Sequence, residues 1–127
     1  MEKEENKISF LLKKHEELFE KVKNSKENSI DLSGSLTKEE EKIDDEKMIV
    51  ISEALKINSS LNTIDLRDNN IGNEVIKYLS ESLKINSSLK KIYLDKNKIG
   101  NEGIKYLSES LKINSSLKEK DLEEFSK

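Results

Sequence analysis

Apolar and polar residues change their period along this chain, and each change marks an element. Ile8, Leu11, Leu12, His15, Leu18, Phe19 and Val22 recur at i, i+3, i+4 and i+7. That spacing predicts one amphipathic helix over 7–23, with Phe10 off its main stripe. Around Ile64 and Leu66, and again around Ile92 and Leu94, apolar and polar residues alternate, the period of a half-buried strand. Ile76, Leu79 and Leu83 return to one helix face, with Tyr78 beside them. Gly72 and Gly100 read as turn glycines. Asn73 and Asn101 occupy the place of an N-cap, followed by Glu74 or Glu102 in the first turn. Lys84 and Lys112 fall in the last turn, and Asn86 and Asn114 suit the left-handed geometry that ends a helix.

The strand–turn–helix pattern repeats. LKINSSL stands at 55–61, 83–89 and 111–117, a spacing of 28 residues, and 60–87 matches 88–115 at 21 of 28 positions. One copy reads Leu61-x-x-Ile64-x-Leu66-x-x-Asn69-x-Ile71, the next Leu89-x-x-Ile92-x-Leu94-x-x-Asn97-x-Ile99. A weaker copy precedes them: Ile30 and Leu32 take the strand positions, Ile43, Met48, Ile51 and Leu55 follow, six extra residues intervene, and the Asn is missing. A unit this small cannot bury its own apolar face, so units must stack.

The motif resembles the leucine-rich repeat family, in the 28-residue form of the ribonuclease inhibitor. The resemblance implies an α/β fold: a short leucine-rich-repeat solenoid with parallel strands on the concave face, helices on the convex face and an N-terminal capping helix. On that reading residues 1–27 form the cap and 28–127 the repeat domain. Its units lie near 28–59, 60–87 and 88–115, and a truncated strand spans 116–127. Leu117, Leu122 and Phe125 begin that last copy, but Lys120 stands where Ile64 and Ile92 do, which breaks the apolar pattern. The resemblance also implies that Asn69 and Asn97 are structural, their amides bonding backbone groups of neighbouring turns.

Composition narrows the chemistry. Leu, Ile, Val and Phe number 36 of 127, enough for a core in a chain that is 39% charged. Without Cys there is no disulfide, thiolate site or Cys nucleophile, and one His cannot build a two-His metal site. His15 reads as a structural residue on its helix stripe. Residues 1–27 balance seven Lys against seven Glu and show no apolar leader, which points to a cytoplasmic chain. The net charge of −3 resides in 37–47, TKEEEKIDDEK. An acidic pI and only one small basic group (Lys90, Lys91, Lys96, Lys98) argue against nucleic acid, and no apolar run approaches a membrane span. No phosphate loop, triad or opposed carboxylate pair is present, so no enzyme, cofactor or metal is expected.

What remains is a surface. In stacked parallel strands the residues between the buried ones line up in rows. Ser29, Thr63, Lys91 and Glu119 form one; Asp31, Asp65, Tyr93 and Asp121 the second; Ser33, Arg67, Asp95 and Glu123 the third. Arg67 and Asp95 are expected to pair across adjacent strands. Six of the seven differences between the two full copies fall at 62–70, in the strand and its loop, while solvent-facing Lys77, Glu81 and Lys84 are unchanged in the next copy. Diversification for a partner and drift after a short duplication both explain this. The expectation is a monomeric, non-enzymatic protein-binding module whose concave face offers Thr63, Asp65, Arg67, Lys91, Tyr93 and Asp95. Its alternatives are a regulator of an enzyme, of the inhibitor or small-GTPase-activator type, and a remnant of a longer array. Tyr78 and Tyr106 are expected to pack beside the core with their hydroxyls in water.

Overall fold

The computed structural model describes residues 2–117. The expectations resting on Glu119, Lys120, Asp121, Leu122, Glu123 and Phe125 lie outside them. Three strands, β1 (Ser29–Asp31), β2 (Thr63–Asp65) and β3 (Lys91–Tyr93), form one parallel sheet in chain order. Three helices, α3 (Asp45–Leu55), α4 (Asn73–Ile85) and α5 (Asn101–Leu111), follow the strands one by one. This is an α/β repeat fold. Ser29, Thr63 and Lys91 stand side by side, as do Ile30, Ile64 and Ile92, and Asp31, Asp65 and Tyr93. The ladder runs past the strand ends: Leu32 N–H donates to Asp65 O, Leu66 N–H to Tyr93 O, Gly34 N–H to Arg67 O and Asp68 N–H to Asp95 O. The expected rows hold as far as the described residues reach.

Between sheet and helices lies one core. Leu61, Ile64, Leu66, Ile71, Ile76, Leu79 and Leu83 of the second unit are inaccessible to solvent. Each unit lends one face to its neighbour, which is how units of this size bury apolar surface at about 25 cal/mol per Å².

Two asparagine ladders lock the units in register. Asn69 Oδ1 accepts from Ile43 N–H at 2.8 Å, while its Nδ2 donates to Leu32 O and Leu66 O, both at 3.0 Å. One unit on, Asn97 Oδ1 accepts from Ile71 N–H, and its Nδ2 donates to Leu66 O and Leu94 O. The second ladder, Asn58, Asn86 and Asn114, corrects an expectation. Asn86 is extended (φ −68°, ψ 131°), not left-handed. Its Nδ2 donates to Leu55 O and Asn58 O of the preceding unit, and its Oδ1 accepts from Ser88 and Leu89 N–H. Asn114 repeats the pattern on Leu83 O, Asn86 O, Ser116 and Leu117. An amide both donates and accepts, so one side chain closes its own turn and ties it to the turn before.

A second correction concerns the helix starts. The N-caps of α4 and α5 are Gly72 and Gly100, and neither Asn73 nor Asn101 caps its helix. Asn73 reaches forward instead: its Oδ1 accepts from Gly100 N–H at 2.7 Å and Gly103 N–H at 3.1 Å. Asp45 does the same one unit earlier, accepting from Gly72 N–H at 2.9 Å. Gly103 is required here. A Cβ on it would stand 2.5 Å from Ile99 Cγ2 and 2.8 Å from Asn73 Oδ1.

The N-terminal segment is two helices rather than one. α1 (Glu2–Lys14) and α2 (Glu16–Lys23) meet at His15, whose ψ of 44° breaks the helical run. His15 Nε2 and Lys14 Nζ both contact Glu46 Oε1 on α3, at 2.9 and 2.8 Å. Leu11 and Val22 enter the core, and Ile8, Leu12, Leu18 and Phe19 pack against it. Asn58 Nδ2 donates to Val22 O and Ser25 O, tying the end of α2 to the first Asn rung. The six extra residues of the first unit fall between β1 and α3, where a short 3-10 turn, Glu39–Glu41, carries three exposed acids.

Candidate protein-binding face

Thr63, Asp65, Lys91 and Tyr93 alternate with the buried Ile64 and Ile92, so the strand period alone turns them outward. Thr63, Asp65, Tyr93 and Asp95 are half-buried; Lys91 and Arg67 are exposed. The structure brings all six to one side of the sheet. It arranges three of them differently from the expected cross-strand pair.

Arg67 pairs with Asp65 of its own unit, not with Asp95. Arg67 Nε donates to Asp65 Oδ1 at 3.0 Å and Nη2 to Oδ2 at 2.7 Å, a two-pronged fork. Asp65 Oδ1 also accepts from Arg67 N–H at 3.1 Å, and the same turn recurs in the first unit between Asp31 and Ser33. A carboxylate two residues before the loop can reach a backbone N–H that Asp95 cannot, and once bound there it fixes the guanidinium in plane. The fork carries Arg67 over the ring of Tyr93, 5.1 Å from guanidinium carbon to ring centroid. Its donors hold the Asp65 carboxyl below the usual carboxylate range, and Asp65, with a smaller effect of Asp95, raises the Arg67 guanidinium further.

The result is a pre-set surface: an aromatic ring, a guanidinium held on it, and Lys91 and Thr63 in the row beside. Among the described residues no cluster of three or more His, Cys, Asp or Glu could hold a metal ion, and no helix is long and apolar enough to cross a membrane. Asn69 and Asn97 lie at the loop end of this face with their amides spent on backbone groups, as the resemblance implies for structural residues.

Sequence reasoning missed a second region, on the helix side. Tyr78 packs half-buried beside the core and also has a partner the sequence did not suggest. Its hydroxyl donates to Glu4 Oε1 of α1, and Lys7 stands over its ring at 6.0 Å. This bond, together with burial, pushes the phenol up to about 12. No signal in the sequence joins residues 74 positions apart, because α1 lies outside the repeat. Lys77 stands over Tyr106 of the next unit at 5.5 Å and pairs with Glu74 at 3.2 Å. That contact was open to inference from the period.

Residues 58–80 and 86–108 match the sequence profile of the family described as Leucine Rich repeat. Among curated protein sequences there is no match. Among solved structures the chain is similar to one titled actin-binding site 2 of leiomodin-1, at 26% identity and a TM-score of 0.69. The similarity covers 80% of this chain and 57% of that one. These findings support leucine-rich repeats over residues 58–80 and 86–108.

Proposed function

We propose that the strand face is a protein-docking surface, the concave wall of a short solenoid of the 28-residue, ribonuclease-inhibitor-like type, capped at its start by α1 and α2. Thr63, Asp65, Arg67, Lys91, Tyr93 and Asp95 form the contact, and the protein is a non-enzymatic monomer. The observation that carries this reading is the coincidence of two maps. Six of the seven positions that differ between otherwise near-identical units lie in the strand and its loop, and among the described residues of that face they include its only aromatic, Tyr93. Tyr and Arg held rigid before association are favoured anchors, because little side-chain freedom is left to lose.

Actin is the first partner to test, since the similar leiomodin-1 fragment is titled as an actin-binding site. Purified actin is titrated with wild type and with a Tyr93→Ala, Lys91→Glu double variant. Binding by wild type, weakened at least tenfold in the variant, supports both the face and the partner. If actin does not bind, the same two proteins are used for quantitative capture from lysate. A partner retained equally by both contradicts the strand-face assignment.

A further inference from the structure

Four of the six changes in the strand half between the second unit and the third are to lysine. Asn62, Thr63, Asp68 and Asn70 give way to Lys90, Lys91, Lys96 and Lys98. The formal charge therefore moves from −1 over 60–72 (Arg67 against Asp65 and Asp68) to +3 over 88–100 (four Lys against Asp95). All four lysines are exposed. Among the described residues none of them is ion-paired, whereas Lys42 of the first unit is held by both Glu39 and Asp68.

The backbone disfavours one of these changes. Lys96 sits in the left-handed region at φ 62°, and Asp68 holds the same place one unit earlier at φ 57°. A short side chain that bonds locally tolerates this conformation, and a lysine does not, so the fold alone favours Asp, Asn or Gly there. Strain kept at an exposed loop residue points to a use outside the fold. Placement agrees. The acidic turn Glu39–Glu41 follows β1, at the far end of the sheet, and the middle row runs Asp31, Asp65, Tyr93. The face is graded from negative to positive, with its aromatic at the positive end.

We infer that the third-unit end of the strand face takes an acidic segment of the protein partner, whose Asp or Glu carboxylates meet Lys91, Lys96 and Lys98 beside Tyr93. This rests on the strand-face reading and adds an orientation to it, because like charges repel the same segment from Glu39–Glu41.

The test is an NMR titration of the full chain with a capped decapeptide of alternating Glu and Ser, beside the same peptide with Gln for Glu. Saturable shifts over residues 90–98 are expected with the Glu peptide alone, with a Kd on the order of 0.1–1 mM at low salt. Salt at about 0.3 M should weaken them at least fivefold. Lys90→Asn, Lys91→Thr, Lys96→Asp and Lys98→Asn together restore the residues of the second unit and should abolish the shifts in a folded protein. Removing four exposed lysines elsewhere (Lys3→Gln, Lys13→Gln, Lys21→Gln, Lys26→Gln) should leave them unchanged. Lys96→Asn alone should raise Tm by about 3 °C while weakening the peptide at least twofold. Equal binding of the Gln peptide, wild-type binding by the fourfold 90–98 variant, or tighter binding of a charge-matched oligothymidylate would overturn the inference. So would binding that emerges only after Glu119→Gln, Asp121→Asn, Glu123→Gln and Glu124→Gln, which would assign the lysines to the chain's own acidic stretch. The strand-face reading is decided separately, by the partner affinity of Tyr93→Ala.

Discussion

The two halves of each repeat obey different constraints. In the helix half and its flanking turns, α4 and α5 differ at one position, Val75 against Gly103. There nearly every polar side chain has a task in the neighbouring unit or its own helix. Asn86 bonds the turn before it, Asn73 the helix start after it, Lys77 the next tyrosine, and Lys84 the Glu81 one turn earlier. The strand half differs at six positions, and among the described residues there only Asp65, Arg67, Asp68 and Asn70 hydrogen-bond or ion-pair with another side chain. Where a side chain is written into a ladder, it recurs; where it faces outward from the sheet, it is free to change. Even the one helical difference has a physical origin, since Ile99 and Asn73 leave no room for a Cβ at 103.

The comparison breaks most visibly at a ladder rung. Asn86→Leu removes an amide that is nearly fully buried and leaves two carbonyls and two N–H groups without it. We expect a loss of about 2–4 kcal/mol in urea unfolding, with Asn69→Leu similar. The next effect is smaller. Gly103→Val, which copies α4 onto α5, should cost about 1–3 kcal/mol through overpacking against Ile99, read as a fall in Tm. By contrast Tyr93→Ala with Lys91→Glu should move stability by less than about 1 kcal/mol while reducing partner binding.

The smallest effect is in pH. Tyr78 is an acid whose folded pKa is raised, so folding favours its protonated form. The stability it adds is complete below the unfolded value near 10 and disappears as pH rises toward 12. Tyr78→Phe should therefore lose less stability than wild type as pH rises from about 10 to about 12, and the difference between the two should be constant near neutrality. Glu46 behaves in the opposite sense. Bonds from Lys14 and His15 lower its pKa, so its contribution is present above about 4.5 and is lost on acidification.

Much of this was legible before any coordinates. The 28-residue period with its alternating Ile64–Leu66 and Ile92–Leu94 pairs fixes which residues share a row, because register in a parallel stack follows from spacing alone. Asn69 and Asn97 were recognisable from the motif. Asn58, Asn86 and Asn114 recur just as regularly, but a turn asparagine has two common uses, and only geometry separates a left-handed cap from a bridge. The break at His15 left no trace, since the apolar stripe continues through it and no Gly or Pro marks it. The Asp65–Arg67 fork was hidden for another reason. Rows predict neighbours across strands, whereas a backbone N–H two residues on offered Asp65 a nearer partner. Contacts of α1 with α4 have no period and could not be read at all.

One exchange tests the account directly. Replacing the strand and loop residues of the second unit by those of the third (Asn62→Lys, Thr63→Lys, Asp65→Tyr, Arg67→Asp, Asp68→Lys, Asn70→Lys) alters six strand and loop positions and no buried apolar one. Urea unfolding and partner affinity are then measured on the same preparation. The account predicts a protein that unfolds within about 2 kcal/mol of wild type and has lost its partner. A variant that binds as wild type does, or one that no longer folds, would contradict the division between a constrained helix half and a recognising strand half.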